Sequence, residues 1–557
     1  MKSSALSIAA ALALAGMSSA ANITEWKSQA IYQVMIDRFA RTDGSTTADC
    51  DLSKFCGGTW KGLINHLDYI QDMGFTAIQI SPIVENMEGE TSVGEPYHGY
   101  WSQNNYALNK HFGTERDLKE LVAELHKRDM LLMVDVVVNN MGQKFDNVIP
   151  PKVDYSKFKP FNKPEYFHKY CNVTEWTVEE NYQECWLYPF GVALADLKTE
   201  SKEVSNELNA WVKELVSNYS IDGLRIDAAK HVNDEFLAPF VEASGVFAFG
   251  EVLTGETEDF CRYQTKNLLP GMPNYLEYYP LYDAFNGGHL TKLEDLRNQA
   301  ASGCMDVMAL GSFSENHDMP RFASLNPDMA LAKNVMTYIL LSDGIPTGMF
   351  VLHPLLLFNL LIKTNRSLQS VVYQGQEQHF NGSETPSNRE PVWQSGYDKT
   401  APLYVLTSHL LKLRSNAIKL SADYIETPSV TVLSDINNLC VQKGPEDSQI
   451  IFCVTNLSSN GAGDDLSLDG FAPEAEIVEV ISCKTVTADA TGSFPVYMGA
   501  GEPKAYVLAS ALEGTGLCPV TEPDVSKKGM SNGGSALGVA SGMALAAVVG
   551  WAAVFLV

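Results

Sequence analysis

Between Ile31 and Tyr373, short runs rich in Val and Ile alternate with helix-patterned segments. This alternation constrains the fold more than any other feature. The runs read as strands are Ile31–Met35, Ala77–Ile80, Leu131–Val137, Gly223–Ile226, Val246–Gly250, Leu310–Phe313 and Val371–Tyr373. Helical patterns such as Glu115–Arg128, Lys202–Val216 and Met329–Leu341 fall between them. Strands apolar on both faces and joined through helices call for a parallel sheet covered on each side. Seven or eight such units predict an α/β fold, a closed (β/α)8 TIM barrel, over residues 21–139 and 198–400. Residues 140–197, rich in Pro, Tyr, Phe and Asn, are too long for a plain connection and read as an irregular domain inserted after the third strand. From 401 to 518, β-like runs such as Ile450–Val454 and Glu476–Ile481 alternate with Gly, Ser and Asp turns, which predicts a C-terminal antiparallel β-sandwich.

Composition narrows the function. The 557 residues carry 40 basic and 67 acidic groups, a net charge of −27. Such a surface repels nucleic acid and anionic lipid. With 45% hydrophobic and 19% charged residues, the chain buries a large core and is not disordered. Its 10 cysteines show no CxxC spacing, so they point to disulfides rather than zinc.

Both ends read as addresses. Met1-Lys2, the apolar run Ala5–Ala15 and the small residues that follow predict a signal peptide over 1–20. At the other end, a polar linker (519–532) leads to small residues and an uncharged, mostly apolar tail with no basic stop after it. This pattern predicts a glycosylphosphatidylinositol signal, with 533–557 removed and lipid placed on Asn532. N-glycosylation sequons at Asn22, Asn172, Asn218, Asn381 and Asn456 agree with secretion to the outer face of the cell membrane or to a cell wall.

Four acidic residues stand at successive strand ends: Asp135, Asp227, Glu251 and Asp318. In a barrel these ends share one face, where catalytic groups collect. Any one of them alone would serve as a helix cap or ion-pair partner. Four together, each beside Arg, Asn or His, point to chemistry. Paired carboxylates without a nucleotide-binding loop suit glycoside cleavage, one attacking the anomeric carbon and one protonating the leaving oxygen.

The stretches Val134-Asp135-Val136-Val137-Val138-Asn139, Gly223-Leu224-Arg225-Ile226-Asp227-Ala228-Ala229-Lys230-His231, Gly250-Glu251-Val252-Leu253 and Glu315-Asn316-His317-Asp318 resemble the α-amylase family, glycoside hydrolase family thirteen, in its fungal secreted form. Tyr97-His98-Gly99-Tyr100-Trp101 and Gln374-Gly375-Gln376-Glu377-Gln378 extend the likeness, which covers about residues 24–518. The resemblance implies Asp227 as nucleophile, Glu251 as acid/base and Asp318 as transition-state stabiliser. It implies His317, Tyr100 and Trp101 around the sugar being cleaved, Lys230 and His231 on the acceptor side, and Arg389 on the far donor side. Arg225, two residues from Asp227 on one strand, points the same way and keeps the nucleophile ionised. Calcium is the implied cofactor, held by Asn139, Gln183, Asp196 and His231, with Gln183 and His231 offering carbonyl oxygens. Implied disulfides are Cys50–Cys56, Cys171–Cys185, Cys261–Cys304 and Cys483–Cys518. That leaves Cys440 and Cys453, which flank a turn-like stretch and suit a cross-strand bridge. The implied partner is α-1,4-glucan or a maltooligosaccharide, as substrate and acceptor. Membrane contact is expected only through the lipid, and the chain is expected to be monomeric.

Two departures from the family pattern stand out. Asn140 occupies the position where most of the family carries a His that contacts the reacting glucose. Asn is shorter and cannot carry charge, and one such lost contact costs on the order of 1–3 kcal/mol of barrier. Together with the lipid signal, Asn140 resembles cell-wall-associated fungal 4-α-glucanotransferases, which remodel wall α-glucan. The second departure is an insertion, residues 348–370, between Asp343-Gly344-Ile345-Pro346 and Val371-Val372-Tyr373. Its run Leu355-Leu356-Leu357-Phe358 has no obvious place on a soluble surface, and its in-frame length suggests a retained intron.

Overall fold

The computed structural model describes residues 22–187, 189–346 and 372–518. The signal peptide, residues 348–370, the polar linker and the lipid tail with Asn532 lie outside the described residues.

The parallel strands Ile31–Val34, Ala77–Ile80, Leu131–Val137, Gly223–Asp227 and Phe247–Gly250 form one continuous sheet in that order. The ring continues through isolated bridges. Phe249 pairs with Gly271, and Pro273 with Gly311. Gly311–Ser312 then pairs with Ile345–Pro346, and Tyr373 returns to Gln33 on the first strand. All these pairings are parallel, so the predicted barrel closes. The sixth position, Gly271 to Pro273, is so short and so poor in β-branched residues that it carries no strand signal in the sequence.

Helices follow the strands as the apolar spacing requires. Glu115–His126 opens with a capping box between Thr114 and Asp117, and buries Leu118, Leu121, Val122 and Leu125 on one face. Trp26, in the short helix Ile23–Ser28, plugs the barrel bottom. It stacks on Phe247, donates its ring N–H to the Asp222 carbonyl and is fully buried with Ile31, Ala77, Met133 and Phe249.

Segment 401–518 is not wholly β. Pro402–Leu420 forms a 19-residue helix that lies against Met329–Leu341 and Leu67–Met73, both helices of the barrel. The barrel layer therefore runs past residue 400, and the β-domain starts at Val430. Its main antiparallel sheet holds six strands, and Asp465–Leu468 pairs with Phe494–Tyr497 in a second sheet. Ile451, Leu468, Ile477, Phe494, Val496 and Tyr506 form the core of this domain.

Asn140–Lys144 and Val192–Asp196 pair antiparallel and bound the inserted segment. A second excursion, the hairpin Val84–Asn86 with Ser102–Leu108, had no clear sequence signal; it carries Tyr97 to Trp101 in its connection. Cys50–Cys56, Cys171–Cys185, Cys261–Cys304 and Cys440–Cys453 are bridged, the last between directly opposed residues of neighbouring strands. Cys483 and Cys518 are also disulfide-bonded. Among the sequon residues, Asn22, Asn218 and Asn381 are exposed, whereas Asn456 is half-buried and donates to the Gly288 and Ile436 carbonyls.

Candidate active site

The site is built around one buried guanidinium. Arg225 and Asp227 lie two apart on the fourth barrel strand, so both side chains leave the same face. Arg225 Nη1 donates to Asp227 Oδ1 at 2.7 Å and to both oxygens of Asp135 at 3.0 Å. Its Nη2 lies 2.8 Å from Glu251 Oε2. Strands three, four and five thus converge through a single cation. Tyr100 donates to Asp135 Oδ2 at 2.7 Å and closes this cluster from the hairpin side.

Glu251 follows the fifth strand directly. Its Oε2 also accepts from the Ala228 N–H at 2.7 Å. Ala228 has φ 50, a left-handed conformation unusual for a residue with a Cβ, and it turns that N–H toward Glu251. Glu251 Oε1 is buried with no hydrogen-bond partner among the described residues. One oxygen is therefore anchored and the other is left to hold a proton.

Burial shapes the ionisation of these carboxyls. It pushes Glu251 well above the usual carboxylate range, against the pull of Arg225, with Asp227 adding to the rise. Asp227 is raised as well, and Arg225 opposes this by charge and by hydrogen bond. Asp135 is pushed up to about 7 by burial and by the Asp227 charge, with Arg225 and the Tyr100 hydroxyl pulling it down. The order agrees with the expectation that Glu251 holds a proton more tightly than Asp227.

Asp318 and His317 follow the seventh strand. Arg389 fixes both, with Nη2 2.6 Å from Asp318 Oδ1 and Nε donating to the His317 carbonyl at 2.7 Å. Its third contact is the Tyr97 hydroxyl at 3.1 Å. In this structure Arg389 holds Asp318. The His317 ring lies nearly parallel to Tyr100, 5.8 Å between centroids, with Nε2 3.5 Å from Asp318 Oδ2. Burial first, then the Arg389 charge, drives His317 well below the usual imidazole range, so it stays neutral. Trp101 is buried, edge-on to His98, and its backbone touches Gly142 so closely that a Cβ there would sit 2.8 Å from it.

Lys230 lies between the loops after the fourth and fifth strands, with Nζ 3.3 Å from the Leu253 carbonyl and 3.3 Å from Asp259. Asn140 is buried opposite Asp196 in the antiparallel pair, and its Nδ2 has no partner among the described residues. Asp135 carries no role in the sequence pattern beyond its place at a strand end, and the structure sets it against Arg225 and Tyr100. Gln33, 3.5 Å from His317 Nδ1, was not singled out, because a Gln inside an apolar strand carries no local signal.

The four residues implied for calcium occur as two pairs. The buried Asp196 carboxylate is hydrogen-bonded by the Asn139 side chain and lies 2.7 Å from His168 Nδ1. His231 Nδ1 lies 3.0 Å from the Tyr182 carbonyl, next to Gln183. The Gln183 and His231 carbonyl oxygens accept no hydrogen bond among the described residues. A buried carboxylate with amide and carbonyl oxygens is a donor set that suits a hard cation.

Comparison with known proteins agrees with this geometry. The family described as alpha amylase, catalytic domain, matches residues 33–409, and alpha-amylase, domain C, matches 431–526. Alpha-amylase 1 of Schwanniomyces occidentalis is 44% identical over 499 residues, covering 89% of this chain and 92% of that protein. An alpha-amylase of Saccharomycopsis fibuligera is 41% identical, covering 88% of this chain and 93% of that protein. The solved alpha-amylase of Malbranchea cinnamomea superposes with a TM-score of 0.82 at 42% identity, covering 89% of this chain and all of that one. With a closed barrel, a C-terminal antiparallel domain and three acids gathered around Arg225, this chain belongs to the α-amylase family of glycoside hydrolases.

Proposed function

We propose that this enzyme cleaves α-1,4-glucan with retention, through a covalent glucosyl group on Asp227, and passes that group by preference to the 4-hydroxyl of a second glucan. The observation that carries the reading is Arg225, which touches both Asp227 and Glu251 while leaving Glu251 Oε1 unspent. Asp227, kept ionised by Arg225, attacks the anomeric carbon. Glu251 gives its proton to the glycosidic oxygen, and the leaving chain departs with a free 4-hydroxyl. Asp318 faces the positive charge that develops on the ring, and neutral His317 and Tyr100 hold the sugar. Glu251, now a carboxylate, takes a proton from the incoming hydroxyl, which displaces Asp227 and restores the acid. Water and a glucan hydroxyl compete for this second step. Asn140 supports transfer, since it cannot supply an imidazole and its unspent N–H is a donor for sugar.

Hydrolysis is the second reading, supported by the relatives named alpha-amylase. A weakly active glucan-binding wall protein is the third. Maltoheptaose separates them. Transfer yields longer and shorter oligomers together. Hydrolysis yields only shorter ones with rising reducing ends, and binding without turnover marks the third reading. Asn140→His is expected to shift products toward hydrolysis severalfold; an unchanged ratio would remove Asn140 from the argument.

Asn139, Gln183, Asp196 and His231 would hold calcium. The ion would neutralise the buried Asp196 and clamp the inserted segment to the barrel. Chelation is expected to lower the unfolding midpoint, with calcium restoring it; indifference to chelator would dismiss the ion. The sequence at the C-terminus supports a glycosylphosphatidylinositol anchor on Asn532 and a cell-surface or wall location. Failure of a phosphatidylinositol-specific phospholipase to release the protein from cells, together with its absence from wall extracts, would contradict this location.

A further inference from the structure

Arg38 is a buried charge with no part in the steps around Arg225. It lies in the short helix Ile36–Phe39, just beyond the first barrel strand, and is completely buried. A guanidinium is costly to bury unless its N–H groups are met. Here the Cys50–Cys56 loop meets them. Nη1 donates to Cys50 Sγ at 2.7 Å and to Cys56 Sγ at 2.8 Å. Nη2 donates to the Leu52 and Lys54 carbonyls at 3.0 and 2.8 Å. The neighbouring Asp37 accepts from the Cys56 and Gly57 N–H groups at 2.8 and 3.0 Å and holds the same loop from its other end.

Those contacts occupy the rim of the guanidinium plane and leave its face open. The face lies on Tyr97, with Arg38 Cζ 3.8 Å from the ring centroid. The Tyr97 hydroxyl accepts from Arg389 Nη1 at 3.1 Å, and Arg389 Nη2 holds Asp318 Oδ1 at 2.6 Å. Tyr97 thus stands between two guanidiniums, one against its ring and one at its hydroxyl. The loop that carries Tyr97 is fastened to the disulfide loop by backbone as well. Glu95 donates its N–H to the Ser53 carbonyl at 2.8 Å, its side chain accepts from the Phe55 N–H at 2.9 Å, and a Cβ at Gly94 would lie 2.3 Å from the Ser53 oxygen. Burial first, then the Arg389 and Arg38 charges, keeps His98 neutral, and its Nδ1 accepts the Tyr100 N–H at 3.1 Å.

We propose that Arg38 is a positioning residue for Asp318, acting through Tyr97 and Arg389. The Cys50–Cys56 loop fixes Arg38, the flat face of Arg38 fixes the tilt of Tyr97, and the Tyr97 hydroxyl fixes how Arg389 turns Asp318 toward the sugar. The relay ties the mouth of the first strand to the loops after the seventh and eighth, across the part of the ring where the eighth strand is divided. Lysine cannot replace Arg38 here, because an ammonium offers no plane that stacks on the ring while its rim meets sulfur and carbonyl. The proposal rests on Asp318 as the stabiliser of the charged transition state. A group that only orients Asp318 serves turnover rather than substrate binding.

The test is a double-mutant cycle read on maltoheptaose. Arg38→Met is expected to lower kcat about tenfold with KM within about twofold of the parent. Tyr97→Phe, which keeps the ring and removes the hydroxyl, is expected to lower kcat about fivefold. In the Tyr97→Phe background Arg38→Met is expected to cost at most about a further twofold, since both changes act through one contact. Arg38→Lys is expected to recover the unfolding midpoint of the parent but not its kcat. Cys50→Ser with Cys56→Ser, which opens the loop around Arg38, is expected to lower kcat in the same manner, severalfold. If Arg38→Met does not fold, Arg38→Lys takes its place in the cycle. A parental kcat in Arg38→Lys or in Tyr97→Phe would overturn the relay. A loss from the Arg38 change that stays undiminished beside Tyr97→Phe would also overturn it, since a merely structural role adds independently. Asp318→Asn with parental activity would instead remove Asp318 from the catalytic reading, whereas the cycle judges the coupling of Arg38 to Tyr97 by itself.

Discussion

The fourth and eighth barrel strands belong to the same ring and are built in opposite ways. Gly223–Asp227 is continuous, paired with the third strand along its length and with the fifth as far as Ile226, and places Arg225 and Asp227 on one face. The eighth strand is divided: Ile345–Pro346 pairs with the seventh strand, and Tyr373, beyond the insertion, pairs with the first. The ring is closed at both, yet only the fourth strand sets chemistry by its own geometry. A side chain aimed by an uninterrupted strand has its direction set locally. One that follows a divided strand depends on its neighbours, and here Arg389 and the cluster of Arg321 with Glu315 and Glu390 hold the loops after strands seven and eight.

The sharpest way to break the fourth strand's role is Asp227→Asn. Activity of either kind, transfer or hydrolysis, is expected to drop by about four orders of magnitude or more with the unfolding midpoint retained. Survival of either activity at a tenth of the parent rate would dismiss Asp227 as nucleophile. Next in size is Tyr100→Phe. Tyr100 donates to the charged form of Asp135, so its loss favours the protonated form and raises a group already at about 7. As Asp135 goes neutral at higher pH, Arg225 loses one of its anchoring charges. Activity is expected to fall about ten- to hundredfold, and the acid limb of the pH profile to move upward. The alkaline limb, set by deprotonation of Glu251, stays in place. A uniform fall with no movement of the acid limb would show that Tyr100 acts on the sugar alone.

The smallest effect concerns the eighth strand. A chain lacking residues 348–370 joins Thr347 to Val371 and leaves Ile345 to Tyr373 short enough to run as one strand between its two existing partners. Removing a closed excursion of this length stabilises the fold by about 2–3 kcal/mol in chain entropy. The unfolding midpoint is expected to rise by a few degrees with activity at least equal to the parent's. A chain that no longer folds would show that the barrel needs those residues, and a transcript that always carries their codons would refute the intron reading.

Much of the site was legible because its signals are local. The strand–helix alternation, the acids at strand ends and the i, i+2 relation of Arg225 to Asp227 need only the period of a strand. The pair Cys440 and Cys453, flanking a turn, is legible for the same reason. The β-domain starts later than the sequence predicts, because the turn-rich composition after residue 420 outweighs the helical apolar spacing of Pro402–Leu420. The sixth barrel position escaped notice, since Gly271 to Pro273 has bridges without strand composition.

Sequence alone determined which side chains this protein can bring to a barrel mouth, and which of them share a strand. Tertiary structure decided what those side chains do to one another. Asp135 reaches Arg225 across 90 positions, Tyr100 reaches Asp135 across 35, and Arg389 reaches Asp318 across 71. Only closure of the ring brings them within hydrogen-bond range, and burial there, with the Asp227 charge beside it, lifts Glu251 toward the protonated state. Strand geometry repeats every two residues and is written in the chain. Desolvation and charge coupling depend on distances that exist only after the barrel has closed.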